Sequence, residues 1–180
     1  MPGSPTSELG PPWDRTLGIR ADNPHVTAVI EDALLTHPAV TAASAVGRPD
    51  EHAGEVPVGY VTITAGPPVT PAELTAWAAA RVPERAAAPK LVTILDALPL
   101  TAVGKPYKPE LRRHAAEHAI AERLAPLGVG GVHAELTDGI VAVTVPHTEH
   151  KNAVAAALGA YAMTWRFEPP PTTAATSRGT

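Results

Sequence analysis

The chain has 180 residues, 44% of them apolar and 18% charged, with 18 acidic against 14 basic side chains and a formal net charge of -4. This is globular composition, sized for one ordinary domain or one domain with a small appendage. The acidic balance speaks against a general nucleic-acid binder, which needs a basic face. No cysteine is present, which excludes a disulfide framework, thiolate metal sites and a cysteine nucleophile. With only 4% aromatic residues the core must be built from Ala, Val, Leu and Ile, and 21 Pro with 14 Gly should cut the chain into short elements.

Residues 1–13 are rich in Pro, Gly and Ser and read as a flexible leader, without the basic and apolar regions of a signal peptide. Val26, Val29, Ile30, Ala33 and Leu34 follow at helical spacing until Pro38. Two β-rich runs, bounded by Gly and Pro, predict strands at about 40–47 and 56–64. Thr70, Pro71 and Glu73 spell a helix start, with an N-cap hydroxyl, a proline at the first position and an acid in the first turn. That helix should run through Trp77 to about Val82. KLVTIL predicts a strand over 90–95, and a loop then leads to a long helix from about Pro109 to Leu124. Residues 14–125 therefore read as one domain.

The next stretch, 126–167, reads as an α+β extension. Two alternating runs flank Asp138-Gly139, a strong hairpin signal, and a helix (EHKNAVAAALGAY) and a short strand (MTWRF) follow. Residues 168–180 resemble the leader and read as a flexible tail. The fold class is α+β: small antiparallel sheets with packed helices, and no internal repeat is visible in the residues. No uninterrupted run of about 18 apolar residues exists, so no membrane span is expected, and the expected setting is the cytoplasm.

The chain has four lysines against ten arginines, and two of the four, Lys105 and Lys108, stand in LPLTAVGKPYKPELRRH. Pro99, Pro106 and Pro109 restrict this backbone, and Gly104 permits positive φ just before Lys105. A cation on a preset loop suits a phosphate or carboxylate; the plainer alternative is a solvated turn residue. Lys108, Arg112 and Arg113, diluted by Glu110 and Glu117, read as a solvated helix face. His114 and His118 could share a metal at helical spacing, but no third ligand is evident, and His147 and His150 stand no better. No metal site is expected. Trp77 is placed in the core beside Leu74, and Asp50, Gly54 and Glu55 read as turn residues that position the strand pair.

Three segments taken together carry a resemblance: VIEDALLTHPAV, then VGRPDEHAGEVPVGYVTI, then the run from TPAELTAW through LPLTAVGKPYKPELRRHA. In this order, over about residues 26–116, the chain resembles the C-terminal domain of the adenylate-forming acyl-CoA synthetases. The resemblance implies a lid on a much larger N-terminal domain that binds ATP and the acyl chain. It implies that Lys105, on a loop supported by Thr101 and Gly104, contacts the acyl carboxylate and the ATP α-phosphate as the acyl-adenylate forms. It further implies a lid rotation that lets coenzyme A attack the adenylate.

In the same resemblance, WDRTLGIR corresponds to the hinge, with Asp14 as the hinge acid. The segment at Arg20, Ala21 and Asp22 corresponds to the loop that approaches the pantetheine arm of coenzyme A. The family has paired glycines where this chain has Ala21 and Asp22, and the added Cβ atoms and carboxylate would crowd or repel an anionic ligand. ATP with Mg²⁺ and coenzyme A are thus expected only together with an adenylating N-terminal domain, in trans or in a parent chain, and the chain alone should not catalyse. The alternative is a non-catalytic interaction module that binds a synthetase, a carrier protein or a coenzyme A-like ligand.

Overall fold

A computed structural model describes residues 23–127, 133–137, 140–144, 150–161 and 164–168. The leader, the hinge candidate Asp14, the loop positions Arg20, Ala21 and Asp22, His147, and the tail beyond Glu168 lie outside the described residues.

The first helix, α1, spans Pro24–Leu35, with Asn23 as its N-cap accepting from the His25 amide. Strands β1 (Val40–Asp50) and β2 (Gly54–Ile63) form an antiparallel hairpin. Asp50 closes its turn by accepting from the amides of His52 and Ala53, and Gly54 follows at φ +75°, in line with the turn role read for these positions. Helix α2 (Pro71–Ala79) begins at Thr70 with a full capping box to Glu73 and ends three residues before Val82. It leads to the short strand β3 (Val92–Ile94), and helix α3 spans Lys108–Leu124. Strands β4 (His133–Thr137) and β5 (Ile140–Thr144) pair antiparallel on either side of residues 138 and 139, and helix α4 (Lys151–Leu158) and strand β6 (Thr164–Glu168) complete the order.

The α+β class is as expected, but the sheets are mixed rather than antiparallel. β3 pairs parallel to β2, and β6 pairs parallel to β5. The cause is connectivity: in each sheet a helix intervenes between the last two strands, and a helical crossover returns the chain to pair in the same direction. The element order then repeats where the residues do not. Helix–strand–strand–helix–strand occurs twice, with sheet orders β1-β2-β3 and β4-β5-β6.

Helix α3 joins the two units. Sheet β1-β2-β3 is covered on one face by α1 and α2, where Ile30, Leu34, Leu74 and Ala78 pack against Ala45, Val61 and Val92. Gly59 permits that closeness: a Cβ there would lie 2.9 Å from Leu34 Cδ1 and 3.2 Å from Val92 Cγ2. On the opposite face Val46, Val58 and Tyr60 meet Leu111 and Ala115 from the first half of α3, together with Leu98. Further along α3, Ile120 and Leu124 pack with Val143, Val154 and Leu158 of the second unit. Over 17 residues, at about 1.5 Å rise each, the helix spans about 25 Å.

Trp77 is not core. Helix α2 turns Leu74 and Ala78 inward, and the position between them lies on the flank. There the indole is half-buried, donates from Nε1 to Thr36 Oγ1, meets His37 edge-on and carries the Arg81 guanidinium 3.3 Å from its ring centroid.

Candidate functional site around Lys105

The loop between β3 and α3 is a small hairpin built on hydrogen bonds. At its base Tyr107 N–H donates to Pro99 O (2.7 Å), and Leu100 bridges antiparallel to Pro106. Inside this, Thr101 N–H donates to Lys105 O (2.7 Å) and Gly104 N–H to Thr101 O (2.9 Å). The Thr101 hydroxyl accepts from Lys105 N–H at 3.1 Å. Gly104 sits at φ +78°, the left-handed conformation that closes three-residue hairpin loops and that a Cβ disfavours. Thr101, Gly104 and Lys105, singled out from the sequence, are therefore brought together in one turn.

The Lys105 side chain is exposed and makes no hydrogen bond or ion pair among the described residues. The same hairpin carries three exposed apolar side chains, Val103 at 80% relative exposure, Leu100 at 60% and Tyr107 at 46%, and an exposed, unpaired ammonium on such a turn is accessible to an anionic group.

Two other basic residues of the segment are engaged. Arg113 pairs with Glu110 and Glu117, which raises its pKa and lowers that of Glu110. Lys108 reaches Glu31 at 2.9 Å and Thr27 Oγ1 at 3.2 Å. This last contact was missed in the sequence. The available signal was Glu31, an acid two turns into a helix whose neighbours face the core.

Near the middle of α3, His114 and His118 stack with ring centroids 4.3 Å apart. His114 Nδ1 lies 3.0 Å from the hydroxyl of buried Tyr60. Burial pushes the Tyr60 pKa up to about 12, so the phenol keeps its proton at neutral pH. Burial and the neighbouring His118 push the His114 pKa down. Among the described residues no group of three His, Asp or Glu side chains could hold a metal ion. The same region lines a cavity of about 360 Å³ between β3 and α3, with Arg48 and Glu122, an ion pair, at its rim. No helix among the described residues is long and apolar enough to cross a membrane.

Residues 29–105 match the model of the AMP-binding enzyme C-terminal domain. Over that stretch the chain is similar to the C-terminal domains of adenylate-forming acyl-CoA ligases. It is 37% identical over 99 residues to the marinolic acid–CoA ligase of a Pseudoalteromonas species, covering 55% of this chain and 15% of that protein. It is 42% identical over 90 residues to the acetyl-coenzyme A synthetase of Deinococcus radiodurans, covering 50% of this chain and 14% of that protein. Among solved structures, the acyl-CoA synthetase of Brucella canis aligns at TM-score 0.47 with 31% identity, over 52% of this chain and 18% of that one. The chain thus spans about one seventh of the length of the two curated relatives.

Proposed function

We propose that this chain is the lid of an acyl-CoA synthetase and supplies Lys105 to an adenylating domain, in trans or in a longer parent chain. The observation that carries the reading is the free Lys105 ammonium on its hydrogen-bonded hairpin. In the first half-reaction an acyl carboxylate oxygen attacks the α-phosphorus of ATP, forming the acyl-adenylate and releasing pyrophosphate. Negative charge gathers on the α-phosphate oxygens during this attack, and an ammonium delivered beside them stabilises the transition state more than the ground state. ATP, with its Mg²⁺, and the acyl group would be held by the partner domain, so the chain alone does not catalyse. Coenzyme A would then take the acyl group from the adenylate, with AMP as the leaving group, after the lid turns, as in the family that the motif resembles.

The test is adenylation measured by pyrophosphate exchange, with this chain added to an adenylating domain that lacks its own lid. Lys105→Ala should lower the rate about 100-fold, the size of losing one charged contact to a transition state. An unchanged rate would sink the lysine's role. A second reading has its own support: Ala21 and Asp22 replace the glycines of the pantetheine loop. This favours a non-catalytic module that binds a synthetase, a carrier protein or a coenzyme A-like ligand. Affinity capture separates the two readings, since a large adenylating protein without a lid is recovered only under the first.

A further inference from the structure

Helix α3 begins with mixed local signals: Pro109 and Glu110 in its first turn favour a start, but its cap and first residue do not. α1 and α2 start with side-chain caps, but the N-cap of α3, Tyr107, makes no side-chain cap hydrogen bond. The first helical residue is Lys108, a cation at the helix end where the backbone dipole disfavours positive charge. A local conflict of this kind is retained where a tertiary contact compensates for it.

The compensating contact is Glu31. Its Oε1 accepts from Lys108 Nζ at 2.9 Å, from Ala45 N–H at 2.8 Å and from Ser44 Oγ at 3.3 Å. Lys108 Nζ also donates to Thr27 Oγ1 at 3.2 Å, and Thr27 Oγ1 donates to Pro24 O. One carboxylate thus ties together α1, β1 and the first residue of α3. Both ion-pair side chains are largely shielded, at 32% and 24% relative exposure, so solvent screens the pair less than a surface bridge. Lys108 stands three residues after Lys105 and one after Tyr107, whose amide closes the base of the hairpin.

We propose that the Glu31–Lys108 pair is a positioning device that sets the direction in which the Lys105 hairpin leaves the domain. The two lysines of the motif divide the work: Lys108 turns inward and fixes the base of the loop, and Lys105 at its far side stays free. The consequence for adenylation rests on the function proposed above; the anchoring itself does not.

The experiment is amide hydrogen exchange by NMR on the full chain, with no partner, for Lys108→Met, Lys108→Arg and Glu31→Gln. Met keeps the aliphatic stem and loses the charge. Gln keeps an acceptor for Ala45 and loses the ion pair. The amides of Thr101, Gly104 and Tyr107 should exchange roughly fivefold faster or more in Lys108→Met and Glu31→Gln, while amides of the β1–β2 hairpin stay unchanged, because only a local opening is favoured. Lys108→Arg should restore much of the protection. Unchanged loop exchange in Lys108→Met would overturn the proposal, and so would an equal acceleration throughout the domain, which marks a general stabilising role. In the reconstituted adenylation assay Lys108→Met should reduce the rate at saturating ATP and acid more than it changes KM. If Lys105→Ala proves silent there, the proposed function fails, and the exchange data still decide the anchoring.

Discussion

His114 is a residue whose environment dictates a testable pH dependence. Its imidazole faces Tyr60 from β2, and His118, Glu117, Arg113 and Glu110 from its own helix. Burial first, and His118 second, depress its pKa below the ordinary 6.5. In the unfolded chain His114 takes up a proton as the pH falls through about 6.5, while in the folded chain it resists until a lower pH. The unfolded state then binds more protons, so stability falls as pH drops through this window and levels off below the folded pKa. Thermal melts of the wild type and His114→Gln between about pH 7.5 and pH 5 should show a shallower decline in the variant, whose amide oxygen can still accept from Tyr60. Parallel slopes would remove His114 as the source. At this scale the sequence was legible where a feature lies within a local string: Thr101, Gly104 and Lys105 lie within five positions, and one turn unites them. It was not legible where partners are distant. Glu31 meets Lys108 across 77 positions and Tyr60 meets His114 across 54, and nothing in either local stretch announces the other.

Among the elements, those with strong end signals were the ones the sequence placed best. Thr70, Pro71 and Glu73 form the capping box that their order suggested, with the Thr70 hydroxyl accepting from Glu73 N–H at 3.2 Å and Glu73 Oε2 accepting from Thr70 N–H at 2.8 Å. The Thr70 amide and the Thr70 hydroxyl, which also donates to Glu73 Oε2, hold the Glu73 carboxyl below its usual pKa. The box starts α2, which positions β3 through a hydrogen bond from Val92 N–H to Thr75 Oγ1. Thr70→Ala should therefore cost about 1 kcal/mol of stability, seen as a lower denaturation midpoint at unchanged slope. An unaltered midpoint would mean that water replaces the cap without loss. Strand direction was less legible than strand position. A hydrophobic run such as KLVTIL gives its place in the chain, but whether it pairs parallel or antiparallel follows from the helix that precedes it and from which sheet edge is open. Likewise the Trp77 indole has the hydrophobicity of a core residue, yet the phase of α2 leaves it on the flank with Arg81 and His37.

For the whole molecule, the shared helix α3 determines how the two units depend on each other. Its first half completes the core of the first unit, and its second half contributes Ile120 and Leu124 to the core of the second. The second unit is thereby held near the C-terminal end of α3, about 25 Å along the helix from the end that follows Lys105. A helix transmits orientation rigidly, so the extension can stay attached without obstructing the hairpin. The sheet of the first unit is packed on both faces, and among the described side chains the core of the second unit holds Ile120, Leu124, Val143, Val154 and Leu158, with Ala157, Trp165 and Phe167 at its margin. Leu158 is fully buried in it, so Leu158→Ala should cost that unit about 2–5 kcal/mol. By hydrogen exchange the β5 and α4 amides should then lose protection, while the β1–β2 amides and the Lys105 turn keep theirs. If instead both sheets lose protection together, α3 couples them into one cooperative unit, and the second unit would be part of what keeps the Lys105 hairpin in place.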